Sequence, residues 1–193
     1  RLILPQVQTL RELLDKKCVI LSVTPDQFNQ ALENIVCPPK LIITDSQVFP
    51  FVAKNKPNES ALTSFSVLFA GQKGDIATYV EGARAIDNLP KDAHIMIAEL
   101  CSHAPLEEDI GRVKIPKLMR KRLGDGVTFE VVAGSEFPED LSAYDMIIQC
   151  GACVVNRKLV QNRIVKAKKQ QVPISNYGIT IAFLNGILDK ICF

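Results

Sequence analysis

Short apolar runs alternate along this chain with amphipathic stretches, and this alternation constrains the fold more than any other feature of the sequence. The apolar runs have the length of strands, and the stretches between them have the period of helices. Strands that alternate with helices form an α/β fold with a mainly parallel sheet. A polar turn bracketed by glycines at 71–74 predicts a division into two small α/β units, residues 1–72 and 73–193.

The predicted strands are short and rich in Val, Ile, Leu and Phe, which favour pleated structure. They cover residues 17–23, 41–44, 63–69, 94–100, 127–133, 144–149 and 172–175. Four predicted helices begin at residues suited to an N-cap, and they run from Thr24, from Asp45 or Ser46, from Asp75 and from Asn156 to about residues 35, 54, 88 and 171. Two further helices are predicted over 116–122 and 180–191.

Composition and charge exclude several classes of protein. Hydrophobic residues make up 47% and charged residues 23% of the chain, as in an ordinary globular protein. A net charge of +2 gives no reason to expect a nucleic-acid or membrane partner. No apolar run approaches the roughly 18–20 residues that cross a bilayer, and the first residues lack the layout of a signal peptide. We therefore expect a cytoplasmic protein, whose clustered cysteines bind metal or perform redox chemistry.

Three cysteines follow the carboxyl ends of two predicted strands. Cys101 follows one of these strands, and Cys150 and Cys153 follow the other as a C-x-x-C motif with two small residues between them. Ligands of open α/β sheets bind outside the carboxyl ends of the strands. If the two strands are neighbours, the three thiols converge on one site. The dipole of the helix that begins after Asn156 would lower the pKa of the thiols there.

Three thiolates fit more than one kind of site. A four-iron cluster normally takes four cysteines, so a three-cysteine site has one distinct iron that accepts another ligand. His103, Glu107 and Glu108 are candidates for that position. The same three thiols with His103 would equally form a structural zinc site of the Cys₃His type. A thiol oxidoreductase that uses the C-x-x-C pair, and three unrelated buried cysteines, are the remaining interpretations.

Three segments resemble the HydF family of FeFe-hydrogenase maturation scaffolds. They are Glu-Leu-Cys-Ser-His at 99–103, Glu-Asp-Ile-Gly-Arg-Val-Lys-Ile-Pro at 108–116, and Tyr-Asp-Met-Ile-Ile-Gln-Cys-Gly-Ala-Cys at 144–153. The family has a Cys-x-His, a spacer of about this length and a His-Cys-x-x-Cys. The resemblance extends over essentially the whole chain.

The resemblance implies a 4Fe-4S cluster on Cys101, Cys150 and Cys153. It further implies that the protein is a scaffold without turnover of its own. In this role it carries a two-iron precursor, built with radical-SAM maturases, and delivers it to the apo-hydrogenase. Residues 1–72 would be a dimerisation domain, which implies a homodimer, and residues 73–193 a cluster-binding domain. Arg112 and Lys114 are candidate contacts to the anionic precursor.

The chain departs from the family pattern at two points. Gln149 stands where the family has a His, so a His ligand is excluded there, and His103, Glu107 or Glu108 become the candidate fourth ligands. The family also begins with a GTPase domain, but this chain contains no G-x-x-x-x-G-K-[ST] loop to hold phosphates. We therefore expect no GTP binding by this route, and the GTPase domain would belong to the full-length protein.

The remaining cysteines and the size of the first unit lead to two further expectations. Cys18, Cys37 and Cys192 lie in or beside apolar runs and are expected to pack as small hydrophobic residues. A unit of about 70 residues is small for an independent core, which favours self-association through residues 1–72.

Overall fold

The computed structural model describes residues 3–100, 109–134 and 136–193. Its helices are α1 (Leu4–Asp15), α2 (Phe28–Glu33), α3 (Phe49–Asn55), α4 (Phe65–Lys73), α5 (Ile76–Ala85), α6 (Ile115–Leu123), α7 (Arg157–Lys169) and α8 (Tyr177–Leu184). Its strands are β1 (Leu41–Thr44), β2 (Ala61–Ser64), β3 (His94–Glu99), β4 (Thr128–Ala133), β5 (Met146–Gln149) and β6 (Ile174–Asn176). Every strand pair in these ranges is parallel, which confirms the predicted α/β fold class.

The first sheet has two strands, β1 and β2, with Leu41 opposite Ala61. The Ser64 side chain ends β2, because it accepts a hydrogen bond from the main-chain nitrogen of Val67 and so caps α4. The predicted strand at 63–69 is therefore wrong beyond Ser64. Its apolar residues, Phe65 and Phe69 among them, also have the i, i+4 spacing of a helix, and the cap selects the helix.

The second sheet has the order β4-β3-β5-β6, so β3 and β5 are central and adjacent. Ile95 lies opposite Met146 and Ala98 opposite Gln149. The apolar residues of these two strands are fully buried, as expected of a parallel sheet that is covered on both faces. All the strands predicted in this half of the chain are present within a few residues of their predicted bounds.

Two predicted helix starts are confirmed by their caps. The Asp75 carboxylate accepts from the Thr78 nitrogen at 3.2 Å, and the Asn156 amide oxygen accepts from the Leu159 nitrogen at 3.0 Å. The last helix begins earlier than predicted, at Tyr177, because Asn176 caps it. It ends at Leu184, and only a short 3₁₀ turn, Leu188–Lys190, follows.

Several expectations for the first unit are wrong. Helix α1, which has Pro5 in its first turn, was not predicted. Residues 18–24 form no strand but run exposed along the surface, where Val19 and Leu21 are 102% and 61% accessible. Cys18 and Cys37 are exposed rather than packed in a core.

The two halves of the chain share one hydrophobic core. Helix α4 packs against α7 and α8. Near the C-terminus the Cys192 nitrogen donates to the Leu62 carbonyl at 2.8 Å, and Thr63 Oγ1 donates to the Cys192 carbonyl at 2.8 Å. The division at residue 72 stays a prediction. Within the described ranges, no helix is long and apolar enough to cross a membrane.

Candidate metal centre

Cys150 lies directly against the end of the neighbouring strand. Its main-chain nitrogen donates to the Ala98 carbonyl at 3.0 Å, and its Sγ accepts a hydrogen bond from the Leu100 nitrogen at 3.1 Å. Leu100 is the last described residue before Cys101, which lies outside the described residues. The expectation that β3 and β5 are neighbours is confirmed, and the Cys150 thiol lies beside the chain that leads into Cys101.

Cys150 lies near polar side chains that are largely shielded from solvent. Cys150 itself is 9% exposed. Burial raises the pKa of Tyr79 and of Tyr177 far above the ordinary tyrosine value, and the negative charge of the Cys150 thiolate raises both further. Both phenols therefore stay neutral at physiological pH. Arg163 is buried nearby, and burial lowers the pKa of its guanidinium, whereas the Cys150 charge opposes that shift.

The C-x-x-C motif forms a tight loop between β5 and α7. Ala152 is buried and has φ +54°, a left-handed conformation that is costly for a residue with a side chain. Cys153 is half-buried, and α7 begins shortly after it at Arg157. The loop therefore leads from Cys150 to the start of α7, and the effect of the α7 dipole on the thiols stays a prediction.

Lys73 contacts this loop, although nothing in the sequence indicated it. Its Nζ donates to the carbonyl oxygens of Ala152, Cys153 and Val155, each at 2.9 Å. Lys73 is the last residue of α4, and the predicted boundary turn at 71–74 contained it without assigning it a role. A lysine at the end of a helix has no motif that distinguishes it from a solvated surface charge.

The side-chain amide of Gln149 forms a hydrogen bond to helix α5. The side chain is almost fully buried, and its Nε2 donates to the Tyr79 hydroxyl at 3.2 Å. Its Oε1 has no hydrogen-bond partner within residues 3–100, 109–134 and 136–193. The residue at the family's His position thus binds α5 through Tyr79.

Arg112 and Lys114 lie in a short π-helix, Ile110–Lys114, that precedes α6. Arg112 forms two hydrogen bonds to the Glu99 carboxylate, at 3.0 and 3.3 Å, and this contact raises the pKa of Arg112. Lys114 Nζ donates to the Gln47 carbonyl at 2.8 Å. Arg112 is therefore held against Glu99, the last residue of β3, which precedes Cys101 by two residues. Lys114 instead contacts the turn before α3 through Gln47.

The other predicted ligands belong to the segment 101–108. Cys101, His103, Glu107 and Glu108 all lie outside the described residues. In the part of the chain that the structure does describe, no group of three or more His, Cys, Asp or Glu side chains is arranged to hold a metal. Two cysteines of the predicted ligand set, Cys150 and Cys153, are described, and cysteine thiolates that accept hydrogen bonds, as Cys150 does from Leu100, are the normal ligands of iron–sulfur clusters.

Two family models together match nearly the whole chain. The model of the hydrogen maturase F dimerization domain matches residues 1–74, and that of the hydrogen maturase F tetramerization domain matches residues 77–192. No curated protein matches the sequence. Both matched domains are named for self-association and neither for catalysis. The chain belongs to the hydrogen maturase F (HydF) family, which confirms the resemblance seen in its sequence.

Proposed function

We propose that this chain is the scaffold part of a hydrogenase maturase, which binds a 4Fe-4S cluster through Cys101, Cys150 and Cys153. Membership of the HydF family supports a role in hydrogenase maturation. The observation that carries the cluster assignment is the 3.1 Å hydrogen bond from the Leu100 nitrogen to Cys150 Sγ. It brings the second thiol to the end of the strand after which Cys101 follows in the chain.

The chemistry of the donor set also supports iron. Three cysteine ligands leave a 4Fe-4S cluster with one iron that accepts an exchangeable ligand, and this iron would hold a two-iron precursor. The fourth ligand would come from His103, Glu107, Glu108 or an external group. Arg112, at the end of β3, and Lys114 would contact the anionic precursor, Arg112 by exchanging its bond to Glu99 for one to the precursor.

The partners follow from this role. The chain would receive the two-iron precursor from radical-SAM maturases and release it to the apo-hydrogenase in the cytoplasm, without turnover of its own. The GTPase domain of the full-length protein would supply any nucleotide hydrolysis. Residues 1–72 would serve as the dimerisation unit and 73–193 as the cluster-binding unit.

The exposed segment 18–24 supports self-association through the first unit. Val19, Leu21 and Val23 recur with the period of a strand and are all exposed. An extended apolar segment with this pattern is a template for pairing with another chain. We assign the second copy of this chain as its partner, because the dimerization model matches residues 1–74.

The test is anaerobic reconstitution with iron and sulfide, followed by elemental analysis and EPR of the reduced protein. Wild type is compared with Cys101→Ala, Cys150→Ala and Cys153→Ala, and exposed Cys37→Ala serves as the control. We expect about four irons per chain in wild type and in the control, with an EPR signal that changes on addition of imidazole. Full iron retention in Cys101→Ala, or a colourless protein with one zinc, would refute the scaffold function.

A further inference from the structure

Lys73 ends α4, within the residues 1–74 that the dimerization-domain model matches, but its ammonium group contacts the cysteine loop between β5 and α7. The three carbonyl groups that accept its hydrogen bonds lie 79, 80 and 82 residues further along the chain, at Ala152, Cys153 and Val155. An ammonium group has three hydrogens, and each of these bonds is 2.9 Å long. Lys73 is half-buried, so this arrangement is far less exposed to competing water than a surface contact.

The main chain of Lys73 is held in place as well as its ammonium group. Gln161 of α7 donates through Nε2 to the carbonyl of Lys73 at 3.0 Å and to that of Gly74 at 2.8 Å. The end of α4 is thereby attached to the helix that follows the loop. Lys73 also lies over the ring of Phe69, 4.9 Å from its centroid, in a cation–π contact.

The loop contains a backbone conformation that is unfavourable for a residue with a side chain. Ala152 has a positive φ, which costs a residue with a Cβ of the order of 1 kcal/mol or more. The carbonyl oxygens of residues 152, 153 and 155 converge on one point, and their partial negative charges repel one another unless a cation lies between them. Lys73 is the cation at that point, and charge-assisted hydrogen bonds are the stronger kind.

We propose that Lys73 is a positioning residue for the metal centre, which holds the loop in the form that presents Cys153 together with Cys150. This inference rests on the proposed function for its link to iron, but the ordering of the loop by Lys73 stands on the geometry alone. The loop that carries Cys153 is thus held by a residue at the end of α4. A disturbance at the end of α4 would then reach the cysteine loop without any change in the thiols themselves.

Lys56 provides a matched control. It is also half-buried, and its Nζ donates to three carbonyls of its own loop, those of Pro57, Asn58 and Ser60, at 3.0, 3.5 and 2.6 Å. That loop contains no cysteine. Lys56→Met therefore removes the same kind of contact from another half-buried lysine without touching the proposed centre.

The first experiment measures hydrogen–deuterium exchange of peptides that cover 150–156 in the metal-free full chain. We expect Lys73→Met to speed exchange of these amides about tenfold or more, and Lys73→Arg to retain part of the protection. Lys56→Met is expected to leave the loop at the wild-type rate. Unchanged exchange in Lys73→Met, or an equal rise in Lys56→Met, would overturn the proposal that Lys73 holds the loop. If Lys73→Met fails to fold, Lys73→Arg takes its place. Faster exchange than in wild type would then support the proposal, and unchanged exchange would overturn it.

The second experiment uses reconstituted protein and measures iron release to a chelator together with the EPR spectrum. Lys73→Met is expected to release iron several-fold faster than Lys56→Met and to show an altered cluster signal. Equal release rates would overturn the link between Lys73 and the cluster. Absence of iron from wild type would instead refute the proposed function, and the exchange experiment would still decide whether Lys73 orders the loop.

Discussion

The hydroxyl of Tyr177 lies against the α-carbon of Gly111, so closely that a Cβ at position 111 would collide with it. Gly111 is buried in the π-helix that precedes α6, and Tyr177 is the first residue of α8. The contact joins the Asp-Ile-Gly-Arg segment to the helix that follows β6. It gives a packing reason for glycine at this position of the motif.

Gly111→Ala is therefore expected to destabilise the protein by about 1–3 kcal/mol, the usual cost of overpacking a filled site. In a chain of this size this lowers the thermal midpoint by about 2–4 °C for each kcal/mol. Gly71→Ala is the control, because its Cβ would meet only Ile76 at 3.8 Å, and alanine favours α4 by about 0.5–1 kcal/mol. Equal midpoints for the two variants in thermal unfolding would contradict the close contact.

Tyr79 and Gln149 form a buried pair beneath the cysteine loop. Tyr79→Phe removes the acceptor and leaves the Gln149 amide unpartnered, which should cost about 1–3 kcal/mol of unfolding free energy. Replacing both residues, as Tyr79→Phe with Gln149→Met, should recover most of that loss, because two apolar groups need no hydrogen bond. Urea unfolding of the two single variants and the double variant measures the coupling. Strictly additive losses would show that the hydrogen bond is not formed.

Asp75 is expected to make stability depend on pH. Hydrogen bonds from the side chain and backbone of Thr78, and an ion pair with Lys168, hold the pKa of Asp75 below its ordinary value. Its contribution is then fully present above the unfolded-state pKa of about 3.9 and is lost as the pH falls through the lower folded-state pKa. Asp75→Ala should cost about 0.5–2 kcal/mol at pH 7, since the helix cap is also lost.

Asp75→Asn separates the charge from the cap. Asparagine still caps α5 but has no charge for Lys168, so its stability difference from wild type should shrink as the pH falls through the pKa of Asp75. Thermal unfolding of wild type and both variants from pH 7 downward measures these differences. A wild-type advantage over Asp75→Asn that grows toward low pH would have the wrong sign.

Local patterns predicted much of this fold because the physics behind them is local. The strands of the second sheet are buried apolar runs, and helix starts such as those at Asp75 and Asn156 depend on a cap three residues from its partner. The prediction of a strand over 63–69 was wrong because its apolar spacing suits both a strand and a helix. The Ser64 cap stabilises the helix. The segment 17–23 has a strand's pattern but no strand partner among the described residues.

The candidate site was only partly predictable for a related reason. The approach of Cys150 to the end of β3 follows from the parallel order of neighbouring strands, which the α/β pattern already favours. The contacts of Lys73 with the loop join residues about 80 apart and depend on where α4 ends relative to α7. No spacing rule in the sequence contains that information, because it arises from the packing of α4 against α7.

The segment 18–24 yields the last prediction, which concerns the oligomer. If this segment pairs with a second copy, Val19→Lys combined with Leu21→Lys should place charges in the interface and dissociate it, because both side chains are exposed within one copy. Size-exclusion chromatography with light scattering should then show the assembly at half its wild-type mass. The thermal midpoint of the double variant should equal that of wild-type protein diluted until it dissociates. Val36→Lys, at an apolar residue that is as exposed as Val19 but lies outside the segment, should leave the mass unchanged. An unchanged mass in the double variant would place the dimer contact elsewhere in residues 1–74, and the exposed segment would then have no part in self-association.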